Sequence, residues 1–348
     1  MSSISEQTRW PAEWEPQSGL LLTWPHPGTD WRAHLAEVEG VFADIIRHAS
    51  ERQTVIIACR DEAHRTHVRS VLNAQGVRRD HYRLYIAPSN DSWARDHGPI
   101  AVLRNGKPRL LDFTFNGWGQ KYPAELDNRI TSILREAKAF GETPLERVEF
   151  VLEGGSIETD GTGTVITTAS CLLSPRRNPG LNKRQVEATL ARHLGATRVL
   201  WLEHGQLAGD DTDGHIDTLV RFVNADTLVH VACRDPRNPN YEPLGRMAGE
   251  LRALRTRDGT PYRIIPLPTP VITADDGHYL PASYANFLII NGAVLVPVYG
   301  VPEDGKALAI FNECFVDRKI IGINCRPLLE QHGSLHCITM HFPPGVIT

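Results

Sequence analysis

Several features that mark other classes of protein are missing from this chain of 348 residues. Its six cysteines include no Cys-x-x-Cys pair, so a zinc ribbon and a thioredoxin motif are absent. Neither His-x-His nor His-Glu-x-x-His occurs, and we therefore do not expect a metal hydrolase. The acidic run DDTD at 210–213 lacks the spacing and distal Glu of an EF-hand loop, which makes a calcium site a weak alternative to a solvated loop. The formal net charge of -4 provides no basic field, so nucleic acid is not an expected partner.

Long hydrophobic segments are also missing. The longest apolar run, FLIINGAVLVPVYG, is interrupted at Asn291-Gly292, and each side is too short to cross a bilayer. The first residues contain no charged segment followed by an apolar one, so we expect no secretion signal. A chain without a disulfide pattern fits a compartment that keeps thiols reduced. We therefore predict a cytoplasmic protein without a membrane partner.

What the chain does contain is the composition of an ordinary globular protein. Hydrophobic residues make up 41% of it and charged residues 22%. No stretch rich in Pro, Gly or Ser is long enough to divide the chain, so we predict one domain over residues 1–348. The only basic cluster consists of Arg176, Arg177, Lys183 and Arg184, and such clusters usually form a solvated face.

Four β-hairpins recur along the sequence. Alternating apolar segments turn at Asn105-Gly106, near Asp160, near Asn224 and at Asn291-Gly292, so successive turns are 55, 64 and 67 residues apart. An Asn-Gly pair tolerates the positive φ angles that a type I′ hairpin turn requires. The regular spacing predicts one supersecondary unit that is repeated along the chain.

A helix and a further strand follow each hairpin. AELDNRITSILREAKAF, NKRQVEATLARHL and PLGRMAGELRALR are rich in helix-forming residues, and a short apolar run comes after each. In the second of these, Val186, Leu190 and Leu194 share one face, and an earlier helix is expected from about Trp31 to Ser50. The chain ends can supply a fifth unit, in which LHCITM begins a hairpin that GLLLTW completes. We predict an α/β fold of five hairpin-helix-strand units closed in a ring, which leaves few sheet edges exposed.

Polar residues cluster just before these hairpin turns. Asp96 precedes the first turn by nine residues, Glu153 precedes the second by seven, and His215 and Asp217 precede the third by nine and seven. Cys337 lies in the corresponding first strand of the last unit. Equivalent positions in units around a ring point to one axis, so we expect these five side chains to converge.

Each of these residues also has an ordinary explanation when it is taken alone. Asp96 can cap a turn, Cys337 can act as a small buried hydrophobe, and His215 can be a loop histidine. Glu153 follows an apolar strand, so its carboxylate is either at an exposed edge or paired with a partner. On a strand, His215 and Asp217 would point to the same face. An imidazole and a carboxylate on one face favour a functional site.

Four short motifs, in the order WARD, EGGSI, DTDGHID and HCIT, resemble the agmatine deiminase and bacterial peptidyl-arginine deiminase family. The opening stretch RWPAEWEPQSGLLLTWP is similar to the start of agmatine deiminases, and the resemblance runs from about Trp10 to Ile338. It implies the pentein fold, a five-bladed α/β propeller. It also implies an enzyme that uses neither a metal nor an organic cofactor.

The resemblance implies a catalytic role for three of the clustered residues. Cys337 corresponds to the family's nucleophile, His215 to its general acid/base, and Glu153 to the carboxylate beside that histidine. Resonance makes the central carbon of a guanidinium a poor electrophile, so a thiolate held close to it is needed. The implied reaction is hydrolysis of agmatine to N-carbamoylputrescine and ammonia through a covalent amidino-cysteine, a step of polyamine biosynthesis toward putrescine.

Three further residues are implied to contact the substrate. Asp96 and Asp217 correspond to the two carboxylates that bind the guanidinium, and Trp93 would line the pocket. The sequence departs from the family pattern in three places: HGSLHC replaces GGGNIHC, DTDGHIDT differs from NGHVDN, and MHFPP replaces a glutamine pair. These departures concern the substrate tail, for which His332 and Asp213 are alternative contacts.

Other functions stay open from sequence alone. Free or C-terminal peptidyl arginine is an alternative substrate, and Arg95 or Arg326 would then bind its carboxylate. An amidinotransferase would intercept the covalent intermediate with an amine. A non-catalytic pentein would only bind a partner, but it would have no need of a thiol, an imidazole and three carboxylates at matching positions. The expected partner is a small-molecule guanidine, and a homodimer stays open.

Overall fold

The computed structural model describes residues 7–347, along which strands and helices alternate. The helices are α1 Leu35–Ser50, α2 Glu62–Ala74, α3 Ala94–His97, α4 Gly117–Gln120, α5 Asp127–Glu136, α6 Ala169–Leu172, α7 Lys183–Leu194, α8 Tyr241–Ala253 and α9 Glu303–Cys314. The strands are β1 Thr8–Arg9, β2 Gly19–Thr23, β3 Thr54–Cys59, β4 Tyr82–Ile86, β5 Ile100–Arg104, β6 Lys107–Thr114, β7 Leu145–Val151, β8 Ile157–Thr159, β9 Thr164–Thr168, β10 Arg198–Leu202, β11 Val220–Asn224, β12 Thr227–Ala232, β13 Arg263–Pro268, β14 Leu288–Ile290, β15 Ala293–Val298, β16 Lys319–Asn324 and β17 Met340–Phe342. Short 3-10 helices cover Asp30–Ala33, Arg79–His81, Gly154–Ser156, Ile216–Thr218 and Arg326–Gln331.

Within the described residues the strands form five sheets, and four of them follow the predicted unit. Two antiparallel strands form a hairpin, and a third strand pairs in parallel with the second. The four sets are β5-β6-β7, β8-β9-β10, β11-β12-β13 and β14-β15-β16, in which α5, α7, α8 and α9 respectively precede the third strand. A parallel pairing needs a crossover connection, which the helix supplies. The prediction of a repeated hairpin-helix-strand unit is confirmed.

The fifth sheet joins the two ends of the described chain. β17 pairs antiparallel with β2, placing Met340 opposite Leu21, and β3 and β4 extend the sheet in parallel. The prediction that GLLLTW completes a hairpin begun by the last segment is therefore confirmed. The placement of Cys337 on the strand was wrong. It lies in the turn before β17, because the Thr339 N–H donates to the His336 carbonyl and delays the start of the strand.

The two Asn-Gly hairpin turns differ in their backbone. At Asn105-Gly106 both residues have positive φ, 49° and 75°, as expected for a type I′ turn. At Asn291-Gly292 only the glycine does, with φ 69°, so the same expectation is wrong there. The side-chain amide of Asn291 instead bonds to both the N–H and the carbonyl of Gln17, which ties this turn to the N-terminal segment.

Helix α7 has boundaries that its sequence specifies. The Asn182 side chain accepts from the Gln185 N–H while the Gln185 side chain accepts from the Asn182 N–H, which forms a capping box. Gly195, with φ 71°, follows the last helical residue in the left-handed conformation that commonly ends a helix. The predicted apolar face is buried, and it consists of Val186, Leu190 and Leu194.

The predicted helix from about Trp31 to Ser50 is divided in the structure. It ends at Ser50 as expected, but its first turn is the 3-10 helix Asp30–Ala33, which precedes α1. Trp31 is buried, and its indole N–H donates to Asp91, which holds this first turn against the neighbouring loop. In residues 7–347 no helix combines the length and the apolar character needed to span a bilayer.

A short turn precedes the first strand of each hairpin, and these turns hold the clustered polar residues. α3 precedes β5, 3-10 helices precede β8 and β11, and turns precede β14 and β17. Asp217 therefore lies on a 3-10 helix with His215 at its N-cap, and the expectation that both lie on a strand was wrong. The Leu219 N–H donates to the Ile216 carbonyl, which closes the turn before β11 can begin.

Candidate active site

The thiol of Cys337 faces a cleft, and the residue is 7% exposed. Its Sγ lies 3.4 Å from Asn286 Oδ1 and 3.9 Å from Asp217 Oδ2. Burial raises the pKa of this thiol well above its usual value, and the negative charges of Asp217 and Asp96 raise it further. The sulfur is therefore protonated unless a cation lies beside it, and such a cation would favour the thiolate.

Asp96, which belongs to α3, lines the same cleft. Its Oδ1 accepts from the Gly155 N–H at 3.0 Å, and its Oδ2 accepts from the Trp118 indole N–H at 2.9 Å. Burial raises the pKa of Asp96 to about 6, although the nearby His215 charge opposes the shift. A Cβ on Gly155 would lie 2.7 Å from His215 Nδ1, 2.9 Å from Asp96 Oδ1 and 3.1 Å from Asp217 Oδ2. Glycine at this position lets the three groups approach one another.

Asp217 is fully buried next to the thiol. Its Oδ2 lies 2.8 Å from His336 Nδ1, whereas its Oδ1 has no hydrogen-bond partner in residues 7–347. Burial alone would raise the pKa of Asp217, but the hydrogen bond and charge of His336 lower it below the usual value. Asp217 is therefore an ionised carboxylate with one buried oxygen that has no partner among the described residues.

His215 is buried beside three acidic or thiol side chains. Its Nδ1 lies 3.7 Å from Asp96 Oδ1, and its Nε2 has no hydrogen-bond partner within the described chain. Burial lowers the pKa of His215, but Asp96, Cys171 and Glu153 outweigh burial and hold the pKa well above its usual value. The imidazole therefore carries a proton that it can donate.

Glu153 is fully buried and paired with a cation. Arg177 Nε lies 2.9 Å from both Glu153 oxygens, and Arg177 Nη1 donates to Asp213 Oδ2 at 2.6 Å. Of the two explanations for Glu153, pairing is the one observed. The expectation that Arg177 lies on a solvated face was wrong, because two carboxylates hold it in the interior. Asp213 also bonds to Lys121 at 2.7 Å and does not line the cleft.

One buried group has the residue types of a zinc site. The ligand atoms of Glu153, Cys171 and His215 lie within 4.8 Å of one another. Both Glu153 oxygens, however, already face Arg177 Nε at 2.9 Å. We therefore interpret the group as the charge-paired surroundings of the His215 imidazole. Cys171 could not be identified from the sequence, because TASCLL has no recognisable spacing to the other two residues.

Aromatic rings form the walls of the cleft. Trp93, Trp118 and Tyr122 line it, and the rings of the two tryptophans lie 6.5 Å apart at 80°. Trp93 therefore lies in the wall of the cleft, where it was predicted to line the pocket. A Cβ on Gly333 would overlap the Trp93 ring, so glycine permits this close approach. His332 also lines the cleft.

The charged residues that line the cleft are acidic. Asp30, Asp91 and Asp211 line it together with Asp96, and no Lys or Arg of residues 7–347 does so. The Asp91 carboxylate accepts from the Trp93 indole N–H at 3.0 Å, which fixes its orientation. A ligand that enters the cleft therefore meets negative charge along its length, which favours cations.

The two arginines considered as carboxylate binders lie elsewhere. Arg95 is buried and does not line the cleft, with its Nε 3.4 Å from the His336 carbonyl and its Nη2 3.5 Å from Glu13. Arg326 pairs with Glu330 within its own 3-10 helix and does not line the cleft. Neither guanidinium is placed to bind a substrate carboxylate.

The structure brings the six residues of the sequence analysis to one place, and it adds two more. Asn286 Oδ1 accepts from the His336 N–H at 2.8 Å and lies beside the Cys337 thiol. Asn286 precedes β14 as Asp96 precedes β5, so its place in the repeat was a usable signal. His336 gave no signal except its position next to Cys337, because its partners come from distant parts of the chain.

Comparison with known proteins places the chain among deiminases. The sequence profile of the Porphyromonas-type peptidyl-arginine deiminase family matches residues 9–343. The agmatine deiminase of Stutzerimonas stutzeri is 34% identical, over 96% of this chain and 95% of its own length. A solved structure named Putative Arginine Deiminase from Porphyromonas gingivalis is 47% identical with a TM-score of 0.90, and the match covers 98% of this chain and 100% of that one.

A second solved structure, the agmatine deiminase of C. jejuni with substrate bound, is 34% identical with a TM-score of 0.91 over 99% of both chains. The mixed α/β fold described above is thus shared with solved deiminases over nearly the whole chain. The resemblance carried by the four motifs is confirmed: the chain belongs to the Porphyromonas-type peptidyl-arginine deiminase family.

Proposed function

We propose that the protein hydrolyses agmatine to N-carbamoylputrescine and ammonia. The observation that carries the proposal is an acidic cleft near which a thiol, a protonated imidazole and two carboxylates meet. Relatives that match nearly the entire chain are named agmatine deiminase. We assign Cys337 as the nucleophile and His215 as the general acid/base, with Glu153 as its neighbouring carboxylate. Asp96 and Asp217 bind the guanidinium.

The first half of the proposed reaction forms a covalent adduct. A guanidinium is planar and cationic, so two carboxylates can bind its N–H groups from two edges. Its charge beside Cys337 lowers the pKa of the thiol, which loses its proton to solvent. The thiolate then attacks the central carbon to give a tetrahedral adduct. His215 donates its proton to the departing nitrogen as the C–N bond breaks. Ammonia leaves, and a cationic amidino group remains on the sulfur.

The second half of the reaction releases the product. Neutral His215 takes a proton from water, and the resulting oxygen nucleophile attacks the amidino carbon. The C–S bond then breaks with its electron pair on sulfur, which restores the Cys337 thiolate. The ureido product leaves after it loses its extra proton to solvent. Glu153 keeps the imidazole in the protonated state that the first half needs.

The charge of the cleft favours agmatine over arginine. Agmatine carries an ammonium at the end of its aliphatic chain, where arginine carries a carboxylate as well as an amine. The cleft is lined by Asp30, Asp91 and Asp211, and by no Lys or Arg of the described residues. These carboxylates attract a substrate ammonium and repel a substrate carboxylate.

We also propose that the five sheets are the blades of one propeller and that residues 1–348 form one domain. Support comes from the turns that precede the hairpins. The turns before β5, β8, β11, β14 and β17 each supply a residue of the site: Asp96, Glu153, Asp217, Asn286 and Cys337. Five equivalent turns can reach one centre when their sheets surround a common axis.

The experiment that tests the function is ammonia release from agmatine, arginine and a short peptide that ends in arginine. We expect release from agmatine, with N-carbamoylputrescine as the product, and at least about a hundredfold lower kcat/KM for the other two substrates. Release from arginine but not from agmatine would contradict the substrate proposal.

The same assay tests the nucleophile. Cys337→Ala should release no ammonia and should still bind agmatine in a calorimetric titration, because the carboxylates of the cleft remain. Cys233→Ala is the matched control, since this cysteine lies outside the cleft and should leave turnover unchanged. Retained turnover in Cys337→Ala would show that another group performs the attack.

A further inference from the structure

His336, the residue before Cys337, connects two buried carboxylates. Its Nδ1 lies 2.8 Å from Asp217 Oδ2, and its Nε2 lies 2.8 Å from Glu13 Oε2. All three side chains are buried. An ionised carboxylate only accepts hydrogen bonds, so both ring nitrogens must act as donors and the ring is an imidazolium.

Glu13 is itself held in place by cations and by the backbone. Arg221 Nη2 lies 3.0 Å from Glu13 Oε2, and the Ile289 N–H donates to Glu13 Oε1 at 2.7 Å. Burial alone would raise the pKa of Glu13, but the charges of Arg221 and His336 lower it well below its usual value. Glu13 is thus a fixed anion that keeps the His336 ring charged and oriented.

We propose that His336 is a positioning residue for the deiminase reaction, which holds Asp217 ionised and turned toward the substrate. The inference rests on the proposed function, because that function assigns Asp217 to the guanidinium. The two oxygens of Asp217 have different surroundings: Oδ2 bonds to His336, and Oδ1 has no partner among the described residues. Oδ1 is therefore the oxygen that accepts a guanidinium N–H. The bond to His336 prevents the carboxylate from rotating away.

The hydrogen bond between His336 and Asp217 also affects the surroundings of the proposed nucleophile, Cys337. Asp217 Oδ2 lies 3.9 Å from Cys337 Sγ, so its position fixes a negative charge next to the thiol. His336 also directly precedes Cys337 in the chain, and its own N–H donates to Asn286 Oδ1 at 2.8 Å. His336 therefore fixes both the orientation of the Asp217 carboxylate and the start of the turn that contains Cys337.

The test is His336→Asn. The asparagine amide can still donate to Asp217, but it is uncharged and too short to reach Glu13. We expect KM for agmatine to rise about tenfold or more with a smaller change in kcat, because the loss is mainly in guanidinium binding. His204→Asn, which alters an exposed histidine outside the cleft, should leave both constants unchanged.

A double-mutant cycle separates positioning from a general structural effect. Agmatine affinity is measured by calorimetry in the Cys337→Ala form, with His336→Asn and Asp217→Asn singly and together, after circular dichroism has established that each variant is folded. If His336 acts through Asp217, His336→Asn changes affinity by less than about twofold once Asp217 is Asn. Full additivity, or an unchanged KM in folded His336→Asn, would overturn the inference. A failure of the proposed function is seen separately, as a parent enzyme that releases no ammonia from agmatine.

Discussion

At the scale of single residues, the buried charged side chains form connected groups in which carboxylates and cations alternate. Arg177 lies between Glu153 and Asp213, and Arg221 contacts Glu13 at 3.0 Å. A buried charge is costly when its partner is removed, because the remaining group keeps its desolvation penalty and loses its compensation. The residues that surround the His215 imidazole and the Asp217 carboxylate therefore depend on cations that do not line the cleft.

Replacing Arg177 with Met tests this dependence. The substitution keeps much of the volume and leaves Glu153 fully buried without the cation that bonds to both its oxygens, so we expect a loss of about 3–5 kcal/mol in the free energy of unfolding. Arg246→Met is the matched control. Its guanidinium pairs with Glu242 on the exposed side of α8, and the expected loss is below about 0.5 kcal/mol. Urea unfolding measures both changes, and equal losses would contradict the argument.

The sequence could predict which residues meet near the cleft but not which residues support them. Cys337, His215 and Asp96 were found because motifs and repeat positions mark them. Arg177 was placed on the surface, since charge clusters are usually solvated and its partner Glu153 carries no local sign of the pairing. His336 was missed for the same reason, because its contacts with Glu13 and Asp217 exist only after the fold has formed.

At the scale of elements, the site depends on turns and not on strands. The alternation of side chains on a strand suggested one shared face for His215 and Asp217, but both belong to a tight 3-10 turn. Sequence patterns identified the hairpins correctly because the strands are apolar and regular. They could not locate the ends of the strands, since a turn of three residues has no periodicity of its own. The residues of the candidate site lie in these turns at the ends of the strands, which the sequence patterns could not assign.

The end of α7 gives a test at this scale. Gly195 has φ 71°, and a Cβ there would overlap the carbonyl oxygen of Thr8 on β1. Gly195→Ala combines backbone strain with this overlap, so we expect a loss of about 2 kcal/mol or more in the free energy of unfolding. Gly40→Ala is the opposite case, because Gly40 is helical within α1 and a Cβ would meet nothing within 4 Å. It should stabilise by about 0.5–1 kcal/mol, and a loss in both variants would argue against this account.

At the scale of the whole molecule, segments that are distant in the sequence contact one another. β17 pairs with β2, and Glu13 and Asn291 each bond to segments far away in the sequence. The regular spacing of hairpins made the five repeated units predictable, and the apolar ends of the chain indicated that they belong together. The network of buried polar groups was not predictable, because hydrophobic patterning says nothing about which polar groups the fold buries.

His97, beside Asp96 in α3, should make the stability of the whole molecule sensitive to acid. The residue is 3% exposed, and neither ring nitrogen has a hydrogen-bond partner within residues 7–347. Burial lowers the pKa of His97 to about 3 because the charged ring cannot be solvated there. An unfolded histidine has a pKa of about 6.5. As the pH falls below that value, the unfolded chain binds a proton that the folded chain does not, so this residue lowers the free energy of unfolding.

The variant His97→Leu isolates this contribution from the other groups that titrate in the same range. Below about pH 6.5 the parent loses about 1.4 kcal/mol per pH unit through His97, and the variant does not. The free energy of unfolding of the variant relative to the parent should therefore rise by about 2 kcal/mol between pH 8 and pH 5. Carboxylates such as Asp91, whose pKa burial raises to about 6, are present in both proteins and cancel in the comparison. Urea unfolding of both proteins at the two pH values measures this change. If the free energy of unfolding of the variant relative to the parent is the same at both pH values, the His97 ring gains a proton in the folded state.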